Sequence, residues 1–114
     1  MQGAVAKGFG WKYEEYTRAI KVGADRRRDL DLLFNNFDAI IAPCTAGEAP
    51  RDLNSTGDHT HIGMWNLLHV PSYALPTHKG PNNMPVAIQV MGRHGADDTL
   101  FDVAKWVLEK LVPT

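Results

Sequence analysis

"WNLLHVPSYALPTHKGPNNMPVAIQVMGRHGADDTLFDVA", residues 65–104, carries the reading of the fold. The apolar runs "SYALP" and "PVAIQVMG" flank a connection containing Gly80, Pro81, Asn82 and Asn83, which predicts two strands paired antiparallel through a turn. Upstream, Ile62 to Leu68 predict a short helix halted near Pro71, because proline disfavours the helical conformation in the residue before it. Downstream, Leu100, Val103, Ala104, Val107, Leu108 and Leu111 fall on one helical face. Asp97 or its neighbour supplies the expected cap of that closing helix, and acid in its first turn complements the helix dipole.

The first third reads as two helices. Trp11, Tyr13, Tyr16, Ala19 and Ile20 predict one over Trp11 to Val22, with Gly23 as its stop. Asp25 is the expected N-cap of a second, Asp25 to Asn36, whose buried stripe is Leu30, Leu33, Phe34 and Phe37. "DAIIAP", Asp38 to Pro43, predicts a strand buried on both faces. Cys44 to His61 is rich in Thr, Gly, Pro, Asn, Ser and Asp; roughly 18 residues of loop is long enough in a small domain to carry function or to have lost its context. The fold class is therefore α/β, a short mixed sheet of about three strands covered by helices within a single domain over residues 1–114. Three strands leave two open sheet edges, which a stable protein covers, charges or pairs with another chain.

Composition narrows the function classes. Hydrophobic residues at 44% and charged residues at 22% are ordinary for a soluble globular protein. No apolar run approaches the roughly 20 residues a membrane span needs. A net charge of −1 with dispersed cations gives no footprint for nucleic acid, and the triplet Arg26, Arg27 and Arg28 points around a helix as a solvated face. One cysteine, Cys44, excludes an internal disulfide; with no secretory signal visible, the cytoplasm is the expected compartment.

The order of segments "FDAIIAPCTAGEAP", "STGD", "WNLLHVPSYALPTHKGP" and "MPVAIQVMGRHGADDTLFDVAKWVLEKL" resembles the C-terminal part of amidase signature enzymes, the amidases and the A-type chains of amidotransferases. The match runs through Asp38, Pro43, Thr45, Ala49, Pro50, Asn66, Pro71, Pro76, Pro85, Gln89, Gly92, Gly95 and Asp97. Each motif is loose alone, and their order and spacing are together specific. His69 and Ala87 stand where that family usually has Gly; a His at a helix end implies a backbone there without a Gly-only conformation.

The resemblance implies carboxamide hydrolysis by a Ser activated through a Lys and a second Ser, with backbone donors for the oxyanion. This sequence offers only Ser55 and Ser72, neither in a Gly-Ser-rich stretch, so no catalytic residue is expected in the chain and the Ser-Ser-Lys apparatus is expected upstream. What the resemblance does assign is a substrate-pocket set: Pro43, Thr45, Thr56, Asp58, Trp65 and Asn66. No metal or organic cofactor is expected. The expected partners are a catalytic N-terminal half or further copies of the chain, a homo-oligomer in the second case, with a small amide as substrate only in the complete enzyme.

Competing chemistry is weaker. "GDHTH", Gly57 to His61, places Asp58, His59 and His61 together, and in an extended segment the two imidazoles project to one side as metal ligands must; the family resemblance makes the segment structural or pocket-lining instead. Cys44 lacks a partnering signature for a nucleophile and reads as a small residue, buried or half-buried. His69, His78 and His94 read as surface or cap residues, and Asp97 and Asp98 repel any anion at the closing helix's N-terminus.

Overall fold

The computed structural model describes residues 7–112. Helix α1 spans Tyr13–Leu33 and strand β1 Ile40–Pro43. Helix α2 covers Thr60–Leu68, β2 Ser72–Lys79, β3 Pro85–Met91 and α3 Asp97–Leu111. The α/β class and the three strands are as expected from the sequence, whereas the sheet, expected to be mixed, is antiparallel at both of its pairings. Its order is β1-β3-β2, so the last strand in the chain sits in the middle.

That central place explains the burial. Val90 and Met91 of β3 are fully buried because strands flank them on both sides. In register, Ile41 and Tyr73 face Val90 from the two sides, and Ala42 and Ala74 face Gln89. β2 runs past Pro76 to Lys79, beyond the end expected at "SYALP", through an irregularity between Pro76 and His78. Proline is tolerated there because β2 is an edge strand, where a missing N–H breaks no ladder.

One face of the sheet carries α3. Leu100, Ala104 and Val107 recur at the helical period and pack on Leu75 and Val90, with Tyr73, Ile88, Val103 and Leu108 around them. Tyr73 meets Phe101 edge-on, ring centroids 5.7 Å apart. Leu111, expected in the same stripe, is 48% exposed, since the helix overruns the sheet. Gly92 lets the chain turn closely under α3: a Cβ there stands 3.0 Å from Leu100 Cβ.

The opposite face is pinned by Gln89, 3% exposed. Its side-chain amide donates to the carbonyls of Pro43 and His61, 2.8 Å each, and so joins the end of β1 and the first turn of α2 to the central strand.

Four expectations need correction. The two N-terminal helices are one: Gly23 lies inside α1, buried, where its missing side chain admits Leu67 of α2, and Asp25 pairs with Arg28 one turn on instead of capping. Of the stripe Leu30, Leu33, Phe34 and Phe37, Phe34 alone is buried; Phe37 is 57% exposed, in an open hollow beside Val103 and Trp106. β1, expected to be buried on both faces, alternates half-buried with exposed positions at the edge of the sheet. Nor is the Arg triplet uniformly solvated: Arg26 and Arg28 make exposed pairs with Asp29 and Asp25, but Arg27 donates to Leu67 O at 2.9 Å and holds α1 on α2.

The result is a slab of 53 × 41 × 17 Å. Its radius of gyration of 17.0 Å exceeds the roughly 13 Å usual for a chain of this length. Its accessible surface is 9026 Å², against about 6,200 Å² for a compact protein of this mass. The excess is apolar in large part: Trp11, Phe37, Ile41, Phe101 and Trp106 are all more than half exposed.

Candidate functional site

The connection between β1 and α2 folds back beside the β2–β3 turn and leaves an open cleft of about 670 Å³. Its loop wall contains Thr45, Glu48, Pro50, Thr56 and Asp58, and its sheet wall Pro85 and Ala87. The loop holds its shape locally. Thr45 Oγ1 donates to Gly47 O at 2.6 Å, Ser55 Oγ accepts from Gly57 N–H at 3.2 Å, and Gly57 takes a φ of +82° that glycine adopts without steric cost. The Cys44 N–H donates to Ala87 O, one residue beyond the last β1–β3 pair.

Of the residues expected in a pocket, Thr45, Thr56 and Asp58 line this cleft. Pro43 ends β1 at its base, while Trp65 and Asn66 lie on α2 outside the lining set. Trp65 is half-buried, and the Asn66 carbonyl accepts from the His69 N–H. Asp58 serves the backbone: its Oδ1 accepts from Thr60 N–H at 2.9 Å and from the Thr60 hydroxyl at 2.5 Å, covering the start of α2. The Thr60 hydroxyl and then its N–H, helped by the charges of His59 and His61, hold the Asp58 carboxyl below its usual range. His61 already belongs to α2, so it and His59 are not the same-side pair that an extended segment would give. Among the described residues no group of three His, Cys, Asp or Glu side chains is placed to hold a metal ion.

Sequence reasoning missed Glu48. Its carboxylate accepts from the N–H of Asn82 at 3.0 Å and of Met84 at 3.2 Å, and from the Asn82 side-chain amide. The available signal was a lone acid in a Gly- and Pro-rich loop of a chain whose hairpin turn is crowded with Gly, Pro and Asn. His69, read as a surface or cap residue, does cap α2, and it does so in the left-handed region at φ +56°. The backbone there does take the conformation glycine favours, contrary to expectation; the Asn66 and Trp65 carbonyls, which accept from the His69 and Val70 N–H groups, close the helix end in that form. His94 Nδ1 lies 2.6 Å from His69 O, and Arg27 Nη1 lies 3.3 Å from His69 Nε2. A second cleft, about 620 Å³, opens beside these residues, but its Arg27 and Asp31 are engaged with Leu67 O and Arg93.

Nucleophilic catalysis needs a hydroxyl or thiol within hydrogen-bond reach of a base. Among the described residues, no cleft hydroxyl hydrogen-bonds to His or Lys, and burial raises the Cys44 pKa, which disfavours the thiolate.

Fold and cleft together define an α/β element with an open cleft between its loop wall and the edge of its sheet. Comparison with known proteins gives the family: the Amidase family model matches residues 2–101, and the chain belongs to that family. The A-type chain of the glutamyl-tRNA(Gln) amidotransferase of Bacillus mycoides is 32% identical over 112 residues, taking in 91% of this chain and 23% of the relative. A crystal structure of an amidase superposes with a TM-score of 0.82 at 26% identity, covering 96% of this chain and 28% of that one. The corresponding amidotransferase chain from Thermotoga maritima, 22% identical, shares the fold with a TM-score of 0.73 over 98% of this chain and 26% of that one. The chain thus spans about a quarter of the length of the curated relatives it matches.

Proposed function

We propose that this chain is the C-terminal scaffold and cleft-wall portion of an amidase signature hydrolase and is catalytically inactive alone. The complete enzyme converts a carboxamide and water to a carboxylate and ammonia or an amine. The observation that carries the reading is the cleft itself, where Thr45, Glu48, Ser55 and Asp58 are turned to holding the loop in place and, among the described residues, no cleft hydroxyl hydrogen-bonds to His or Lys. Thr45, Thr56 and Asp58 are its substrate-facing residues, with Pro43, Trp65 and Asn66 supporting the wall from β1 and α2. The Ser, Ser and Lys of the reaction come from a catalytic portion packed on the bare apolar surface, a partner this reading requires. No metal or organic cofactor is called for. The single thiol supports a cytoplasmic setting. Among the described residues no helix is long and apolar enough to cross a membrane.

Ammonia release from small aliphatic and aromatic carboxamides tests the claim. The purified chain is expected to give none above buffer, and turnover abolished by Thr45→Ala or Thr56→Ala overturns it. A second reading is favoured by the open β1 edge, where Ile41, Phe37 and Trp106 stand exposed: a stand-alone module that self-associates through that edge. Sedimentation of a strictly monomeric species at high concentration counts against this alternative.

A further inference from the structure

The β2–β3 turn is built to receive an anion. The Gly80 N–H donates to Met84 O and the Asn83 N–H to Gly80 O, both at 2.9 Å, closing a ring in which Asn83 takes a φ of +64°. The N–H groups of Asn82 and Met84, on either side of Asn83, are left for an outside acceptor, and backbone N–H groups converging in a turn of this kind make an anion-binding concavity. The chain fills the concavity itself, with a carboxylate 34 residues away along the sequence. We propose that Glu48 is a positioning residue, a clasp that fixes the loop wall of the cleft at a set distance from the sheet wall and so sets the width available to a small carboxamide. Naming the carboxamide rests on the function proposed above; the clasp does not.

Two further observations support it. Gly80 is the residue the clasp needs, since a Cβ there meets Glu48 Cδ at 2.7 Å and Cβ at 2.8 Å, closer than real contacts allow. And the carboxylate is kept charged: desolvation acts to raise its pKa, but the Asn82 amide and N–H, the Met84 N–H and the Arg51 charge outweigh it, and the net shift is downward. Arg51 is the charged group acting on it from the loop, and Lys79 with His78 are the nearest ionisable residues along the hairpin. A folded-state pKa below the unfolded value leaves the clasp shut from neutral pH down through the unfolded pKa, opening only in stronger acid.

Amide exchange followed residue by residue in the intact chain tests this without any substrate, so its outcome stands apart from that of the turnover assay. Glu48→Ala and Gly80→Ala are each expected to lower protection at Asn82 and Met84 at least tenfold while Val90 stays protected. Glu48→Gln, which keeps one acceptor oxygen, restores part of the protection and removes its fall in acid. Cys44, the only thiol, lines the same cleft, and its reaction with an aromatic disulfide reagent is expected to speed several-fold in Glu48→Ala. Unchanged protection at Asn82 and Met84 in Glu48→Ala, an acid response in Glu48→Gln equal to that of the parent, or an unaltered thiol rate overturns the proposal.

Discussion

Replacing Gln89 offers the sharpest test of how β1 and α2 are tied to the central strand. Its amide donates to Pro43 O and His61 O at 2.8 Å from a side chain that is 3% exposed. Each such bond contributes about 0.5–1.5 kcal/mol net, so Gln89→Leu loses about 1–3 kcal/mol, partly offset by the apolar burial of the new side chain. Gln89→Glu is worse at neutral pH. It sets a carboxylate against two carbonyl oxygens in a dry site, and a charged group stranded there costs about 3 kcal/mol or more. The same cost raises the folded-state pKa of the new carboxyl about two units above its unfolded value near 4.3. A raised pKa means the penalty is absent below the unfolded value, where the acid can donate one bond, and grows as pH rises through the folded one. The stability gap between parent and Gln89→Glu, from urea midpoints, is therefore expected to widen by about 2 kcal/mol between pH 5 and pH 8. A gap constant across that range means that residue 89 does not face two acceptors, and the account of how β1 and α2 are tied to β3 fails.

Other perturbations follow from the same packing. Leu100→Ala, at a fully buried site between α3 and the sheet, is expected to cost about 2–5 kcal/mol, read as a loss of urea midpoint or of the cooperative transition. His69→Gly relieves about 1–2 kcal/mol of left-handed strain but loses about 0.5–1 kcal/mol to glycine's unfolded-state entropy, leaving the protein equal to or slightly more stable than the parent. His69→Val, with a branched Cβ at the same φ, is expected to be clearly less stable than either, and equality of all three in urea refutes the left-handed cap. Asp58 has a lowered pKa, so its contribution is present above the unfolded value near 3.9 and lost as pH falls through the folded one; Asp58→Asn is expected to flatten the acid limb of the stability–pH curve measured by circular dichroism.

Much of this architecture is legible in the sequence where a pattern has one physical cause. Leu100, Ala104 and Val107 repeat at the helical period because they face the sheet, and the turn residues Gly80 to Asn83 sit between strands because the chain reverses there. Gly23 misleads because the residue that ends helices is also the residue that lets two helices touch, and only the position of Leu67 tells which role applies. The stripe of Leu33 and Phe37 misleads differently: its periodicity is sound, but the described residues cover it only in part, so burial inferred from spacing fails. The resemblance named Thr45, Thr56 and Asp58, which the fold brings to one cleft, whereas Glu48 depends on a contact between residues 48 and 82 that no local pattern encodes.

The place of β3 between β1 and β2 has a consequence for synthesis. Neither outer strand has a neighbour until the central one leaves the ribosome, so "DAIIAP" and "SYALP" wait unpaired while residues 85–91 are made. The hairpin then closes over a short span, but β1 must be captured from residue 43 to residue 88 across the whole cleft loop and α2. Closure at that separation is the slower event. A nascent chain stalled just short of Pro85 consequently holds two strands without the one that pairs them, the stage at which a chaperone has most to hold.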